Sequence, residues 1–279
     1  MNNKVRKIYG SYDIPVEIWK LYELDEELYS MDLSLGMIGL RPSIGDDSYT
    51  ITPPDLIPFA STGGDGIHFG FLTDFGTVPS LSDAPIVCVS PTDDPPIRYI
   101  AHNLKDFFNL IASLPNAEML AWICLTPDES SVQEGIKEFW EDTPSDWKEK
   151  HEQVFERFKK KFSLEKVNVS EYLKNAQKKR KKSIAIPTKD GLGVIGNGEN
   201  LQTIHYHFDF AYELGEQELN RMKKQLEDSS IIEKLAFIRD AFYSYVCTRD
   251  YEEKLYYLLL ELMKSLQLHD EAMRLQMRV

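Results

Sequence analysis

The hydrophobic positions of this chain follow two different periods. Between residues 53 and 101 they alternate or run in short blocks between turn residues, and from residue 117 onward most recur at helical spacing. Pro53-Pro54 fits neither a helix interior nor a central strand, so a new element begins after it. Leu56, Ile57, Phe59 and Ala60 form a short buried run. Gly63-Gly64-Asp65-Gly66 is a tight reversal, because glycine supplies positive φ without steric cost. Ile67, Phe69 and Phe71 then alternate and predict a strand with one buried side. Residues 84–89 are continuously apolar between Pro85 and Pro91, the pattern of a central strand covered on both faces. A stiff acidic loop over 90–96 leads to a short strand at 98–101. Asn103 with Asp106 three residues on reads as a capped helix start, and Leu104, Phe107, Phe108 and Ile111 give that helix an apolar stripe.

On either side the pattern is helical or irregular. Residues 1–15 are polar and predict an irregular or strand-like lead-in. Pro15 suits the first turn of a helix over 16–29 that buries Ile18, Leu21, Tyr22 and Leu28. Residues 31–40 fit a strand or a helix end, and periodicity does not choose between them. A short apolar helix is predicted over 117–125. Thr126-Pro127-Asp128-Glu129 and Thr143-Pro144-Ser145-Asp146 each read as a cap followed by proline at the first helical position. The second of these helices carries Trp147, His151, Val154, Phe155, Phe158 and Phe162 as a core stripe, with His151 packed rather than ligating. From Ser183 short strands are predicted at 184–186, 192–195 and 202–210, forming a small antiparallel unit. Three helices follow, starting near Gly215, Ser230 and Asp250.

The order of strand, glycine turn, aromatic strand, buried strand, short strand and helix resembles the SUKH superfamily. That superfamily includes yeast cell-wall synthesis regulators and many bacterial immunity proteins of toxin systems. The resemblance is carried by Phe59-Ala60, Gly63-Gly64-Asp65, the strand from Ile67 to Phe71, Pro85-Ile86-Val87, and Ile100-Ala101-His102-Asn103-Leu104 leading into Phe107-Phe108. It covers about sixty residues closely and nothing beyond about residue 120. The usual aromatic after Gly-Gly-Asp is replaced by Gly66-Ile67, and the usual Ser-Phe opening of the helix by Asn103-Leu104, so the chain would be a divergent member. The resemblance implies an α+β fold with a mixed or antiparallel sheet flanked by helices, and a binding role rather than catalysis. The expected organisation is a SUKH-like domain over 1–165, a basic linker or helix end over 166–182, and a β-hairpin unit with a C-terminal helical bundle over 183–279.

Composition agrees with a soluble globular protein, at 42% hydrophobic and 28% charged residues over 279 positions. The longest apolar run, 119–125, is too short to span a bilayer, and the N-terminus has no signal-peptide core, so a cytoplasmic location is expected. Cys88, Cys124 and Cys247 are sparse, odd in number and set in apolar runs, which reads as buried reduced thiols. Charge changes the picture more. The net charge is −13, and residues 1–120 hold 17 acidic against 7 basic side chains. Such a surface repels nucleic acid and attracts basic proteins, although acidity for solubility alone explains the same number.

Candidate chemistry is thin. Asp46-Asp47 and Asp93-Asp94 are paired acids in loops, and they are the candidate rim for a basic partner such as a toxin. His205, His207 and Asp209 share one face of a predicted strand, which suits a divalent metal or merely a wet strand face. Gly191-Leu192-Gly193-Val194-Ile195-Gly196 matches a dinucleotide fingerprint, but glycine and asparagine follow where a helix must open, so it reads as turns and no cofactor is expected. Lys174 and the run Lys178-Lys179-Arg180-Lys181-Lys182 lack interleaved aromatics and read as solvated cations near a helix end. The expectation is a non-catalytic protein-binding protein without a metal, nucleic-acid or membrane partner. The alternatives are a regulatory or scaffold module, with a homodimer through the C-terminal helices, and a metal-dependent enzyme using His205 and His207.

Overall fold

The computed structural model describes residues 3–44, 48–196, 215–246 and 253–277. Its centre is a five-stranded sheet in the order β1-β2-β3-β4-β5, formed by Arg41–Pro42, Leu56–Ser61, His68–Leu72, Ile86–Val89 and Ile97–Ala101, with every neighbouring pair antiparallel. The β2–β3 hairpin closes through the glycine segment, with Gly63, Asp65 and Gly66 at positive φ. The fold class is therefore α+β, with a sheet that is wholly antiparallel rather than mixed.

Alternation along the strands sends side chains to two separate cores. Ile57, Phe59, Phe69, Phe71, Ile86, Cys88 and Ile100 face the larger core. There they meet α2 (Val16–Tyr29), α3 (Leu104–Ile111), α6 (Ser145–Phe162) and α7 (Val169–Ser183). Phe107 stands edge-on to Phe59 at 5.6 Å and tilted against Phe69 at 4.9 Å, which seats α3 on the sheet. Leu56, Leu72, Val87, Val89 and Ile97 face the other way and are also buried, with Leu192 packed among them. The sheet is thus covered on both faces, as the unbroken apolar run of β4 requires.

The second face is covered from the C-terminal part of the chain. A hairpin of β6 (Ile184–Ile186) and β7 (Val194–Ile195) packs on α9 (Ile231–Ala241), while α8 (Glu216–Asp228), α10 (Glu253–Ser265) and α11 (His269–Gln276) complete a helical cluster with its own core. α10 buries Leu255, Tyr256, Leu258, Leu259, Leu260, Leu262 and Met263, so nearly its whole apolar content points inward.

Several local expectations change. Residues Asn3–Tyr9 form a helix, α1, not an irregular or strand-like lead-in, because Ile8 and Tyr9 are buried where α1 packs on α11. Gly10 follows it at φ +58, and a Cβ there would stand 2.2 Å from the Asp270 carboxyl, so only glycine lets the two ends meet. That carboxyl accepts hydrogen bonds from Ser11 N and Ser11 Oγ, both at 2.8 Å. Residues Leu35–Ile38 are a 3-10 turn. Of the two predicted proline-led caps, α5 (Glu129–Asp142) is capped by Asp128, which accepts from Ser131 N at 2.9 Å, so Pro127 precedes the cap instead of following it. Thr143 caps nothing and donates back to the Phe139 carbonyl. The Asn103 cap of α3 is as expected, with Asn103 Oδ1 accepting from Asp106 N at 2.8 Å. The basic run ends α7, whose Leu173 lies in the main core and whose Ala176 and Arg180 are also buried. A fourth C-terminal helix, α11, was not expected. The predicted strand over 202–210 lies outside the described residues.

Candidate functional site

Of the four acids expected to form a rim, Asp46 and Asp47 lie outside the described residues, and Asp93 and Asp94 sit on the β4–β5 turn. Asp93 is half tied down. Its Oδ2 accepts from Ser90 Oγ at 2.8 Å and lies 2.8 Å from Arg98 Nη2. Those bonds, the serine's first, hold its carboxyl below the usual aspartate value, although the side chain stays 43% exposed. Asp94 is exposed, with no side-chain hydrogen bond or ion pair among the described residues. Arg98 is buried. Its Nε donates to the Pro95 carbonyl at 2.9 Å, and its Nη1 donates to the Ala121 carbonyl on α4 (Met119–Ile123). One guanidinium therefore fastens the acidic turn to α4.

α4 is where two large apolar side chains reach solvent. It buries Met119, Leu120, Ala121 and Ile123, but Trp122 is 42% exposed and Leu125, just past its end, 45%. The indole of Trp122 rests on Gly135 of α5, where an added Cβ would stand 2.4 Å from the ring. α5 buries only Val132, and its Glu134, Glu138, Glu141 and Asp142 are exposed on the same element as that glycine. Beyond Leu125 the character reverses. Lys174, Lys178 and Lys181 of α7 border a cleft of about 420 Å3 with Pro127 and Asp128. The sequence predicts a short apolar helix over 117–125 without separating its buried positions from its exposed ones. The available signal was that the run Met119 to Leu125 is apolar at every position, more than a one-sided short helix can bury.

Reactive groups elsewhere are committed to packing. His68 Nε2 lies 3.0 Å from Thr52 Oγ1, and its Nδ1 lies 2.7 Å from the Gly66 carbonyl. His102 Nδ1 is 2.8 Å from Tyr99 Oη, and Tyr172 Oη donates to Asp106 at 2.7 Å while accepting from His102 N at 3.1 Å. Burial first, then the nearby Lys179 charge, lowers the His102 pKa. Burial pushes the Cys88 thiol well up and that of Cys124 to about 12, so neither is a ready nucleophile. Among the described residues no three His, Cys, Asp or Glu side chains are grouped to hold a metal. His205, His207, Asp209 and Cys247 lie outside the described residues.

The densest polar constellation is buried between the sheet and the C-terminal elements. Arg180 of α7 makes a two-pronged pair with Asp74, at 2.6 and 2.7 Å. Arg239 of α9 reaches Asp55 at 2.7 Å, Asp190 at 3.1 Å and Asp74 at 3.4 Å, with Phe75 4.7 Å from its guanidinium carbon. Three carboxylates thus share two guanidiniums. Asp55, fully buried, has its pKa raised to about 6 by desolvation, against the pull of Arg239 and with the push of Asp74, Asp190 and Glu271. Arg274 of α11 donates to Glu271 at 2.9 Å and to the carbonyls of Pro54 and Ile8 at 2.7 and 3.0 Å. This cluster is closed off from solvent and suits interlocking of elements rather than turnover.

Neither a protein-family model nor a curated protein matches the chain. No helix among the described residues is long and apolar enough to cross a membrane.

Proposed function

We propose that this chain is a non-catalytic protein-binding protein, a divergent SUKH-like member that neutralises a basic protein partner such as a toxin in the manner of bacterial immunity proteins. The observation that carries the reading is the exposed pair Trp122 and Leu125, fastened by Arg98 to the Asp93-Asp94 turn and bordered by the acidic outer face of α5. Tryptophan is among the residues most enriched at interface hot spots, and here it stands beside a second exposed apolar side chain. The acids of α5 and of the Asp93-Asp94 turn attract a basic partner on that side of the patch, while Lys174, Lys178 and Lys181 of α7 lie on the other side, beyond Leu125. Supporting the SUKH-like part of the reading, residues 56–111 form the hairpin, the two further strands and the capped helix in the order that the resemblance implies.

The test is retention of host proteins by the immobilised full chain at low and high salt, repeated with Trp122→Ala and with Tyr29→Ala as an exposed aromatic control on α2. The expected result is one basic protein, released by salt, whose affinity falls by at least about 2 kcal/mol with Trp122→Ala and is unchanged with Tyr29→Ala. A partner held equally by Trp122→Ala, or none at all, overturns the reading. A regulatory module that dimerises through its C-terminal helices is the second reading. Exposed Ile231, Tyr257, Met273 and Met277 favour it, and a concentration-dependent dimer in sedimentation tests it.

A further inference from the structure

A further cavity lies where α5 and α6 meet. α5, α6 and the segment 112–115 after α3 enclose a cleft of about 620 Å3. That is within the ~300–1,000 Å3 typical of small-molecule sites. Its floor is aromatic. The His151 ring stacks with Phe155 at 5.5 Å and 19°, and Trp140 stands edge-on to His151 at 5.0 Å and 87°. His151 is buried and fixed, with Nε2 2.6 Å from the Pro115 carbonyl, and burial lowers its pKa, so the floor is neutral and rigid.

The rim carries the opposite sign to the chain's net charge. Lys148 and Lys166 line the cleft and form no ion pair among the described residues. Lys159 is already engaged with Glu156 and lies 5.4 Å from the Phe155 centroid. Glu152 is the one rim carboxylate without an ion pair among the described residues. Two free ammoniums against one free carboxylate, in a chain of net charge −13, is a local reversal.

We infer that this cleft binds a flat aromatic anion, a carboxylate or sulfonate on one or two fused rings. The rings lie against Trp140 and the edge of Phe155, whose faces are taken by His151 and Lys159, and the acid group meets Lys148 or Lys166. Aromatic stacking gives the site its shape preference, and the lysines give it its charge preference. The site shares no residue with the proposed docking surface on α4, so either stands if the other fails.

The probe is 2-naphthoate, titrated into the full chain by calorimetry beside its neutral and cationic counterparts, 2-naphthylmethanol and 2-naphthylmethylammonium. Naphthoate is expected to bind with a Kd on the order of 1 mM or tighter, and more tightly than both counterparts. The Lys148→Ala/Lys166→Ala double variant should weaken naphthoate at least about fivefold, roughly 1 kcal/mol, and leave the alcohol's affinity unchanged. Trp140→Ala should weaken both. The lysine pair is at the surface, so loss of folding does not confound that arm, and circular dichroism verifies it for Trp140→Ala. No saturable naphthoate binding, equal affinity for the ammonium, or an unchanged double variant each overturns the proposal.

Discussion

At the scale of single residues, Arg239 and Asp55 are a contrasting pair. The Arg239 guanidinium faces Asp55, Asp74 and Asp190, and its side chain is 2% exposed. Replacing it with methionine leaves three buried carboxylates to Arg180 alone. Breaking a buried pair from one side costs about 3–5 kcal/mol, and Arg239→Met is expected to fall in that range in urea denaturation. Asp55→Asn removes one of three negative charges sharing two positive ones and retains an acceptor oxygen. It should cost less than about 1 kcal/mol, since the lost attraction is offset by lost desolvation and repulsion. Equal losses for the two variants would show that the cluster is an ordinary set of independent pairs. None of this was legible in the sequence. Arg180 reads as one cation in a solvated run, Asp190 only precedes the glycines read as turns, and Arg239 meets Asp55 across a separation of 184 residues. No spacing rule reaches that far. Trp122 was illegible for a different reason: apolar content identifies what can be buried, and only packing decides what is left out.

At the scale of elements, what was legible is what local physics determines. The glycine reversal, an aromatic strand, the Asn103 cap and an apolar stripe on α2 all follow from residues within one or two turns of each other and are present, but the strand is His68–Leu72 and buried on both faces rather than one, and α2 buries Leu24 where Tyr22 was expected. α1 and α11 were missed because each is short and becomes helical through the other, with Arg274 holding the Ile8 carbonyl. α7 shows both sides. Its lysines Lys178, Lys179, Lys181 and Lys182 are exposed, as a basic helix end should be, yet its Leu173 is completely buried against the main core. Leu173→Ala is therefore expected to cost about 2–5 kcal/mol, and Lys179→Ala within about 0.5 kcal/mol, measured as shifts in the urea midpoint at constant m. A small loss for Leu173→Ala would mean that α7 is only loosely docked on β5. The paired acids show the limit of reading elements by composition. Asp93 and Asp94 are adjacent and look alike, but Arg98 and Ser90 take up one and leave the other to solvent.

At the scale of the whole molecule, proton binding links the buried cluster to the stability of the entire chain. Asp55 has a folded-state pKa of about 6 against an ordinary 3.8, so between those values the folded protein holds a proton that the unfolded chain has released. Its contribution is fully present below about pH 4 and is lost as pH rises through 6. The limiting slope is about 1.4 kcal/mol per pH unit. His102 and His151 act in the opposite direction. Burial holds both below 6.5, so as pH falls through that value the unfolded chain takes up protons that the folded protein refuses, and stability drops. Asp93, held low by Ser90 and Arg98, adds stability that is present above 3.8 and is lost in stronger acid. Because Asp55 and the histidines oppose one another near pH 6, the raw stability profile there is a balance and does not isolate either. The difference between wild type and Asp55→Asn does. Measured by urea denaturation from pH 4.5 to 7.5, the wild type is expected to gain stability relative to Asp55→Asn as pH falls, with the gain setting in as pH passes through 6 and steepest near about pH 5, midway between the two pKa values. A difference that is flat across this range would place the Asp55 pKa at its ordinary value. The Arg239 attraction would then balance desolvation and the neighbouring carboxylates, and Asp55 would stay ionised throughout this pH range.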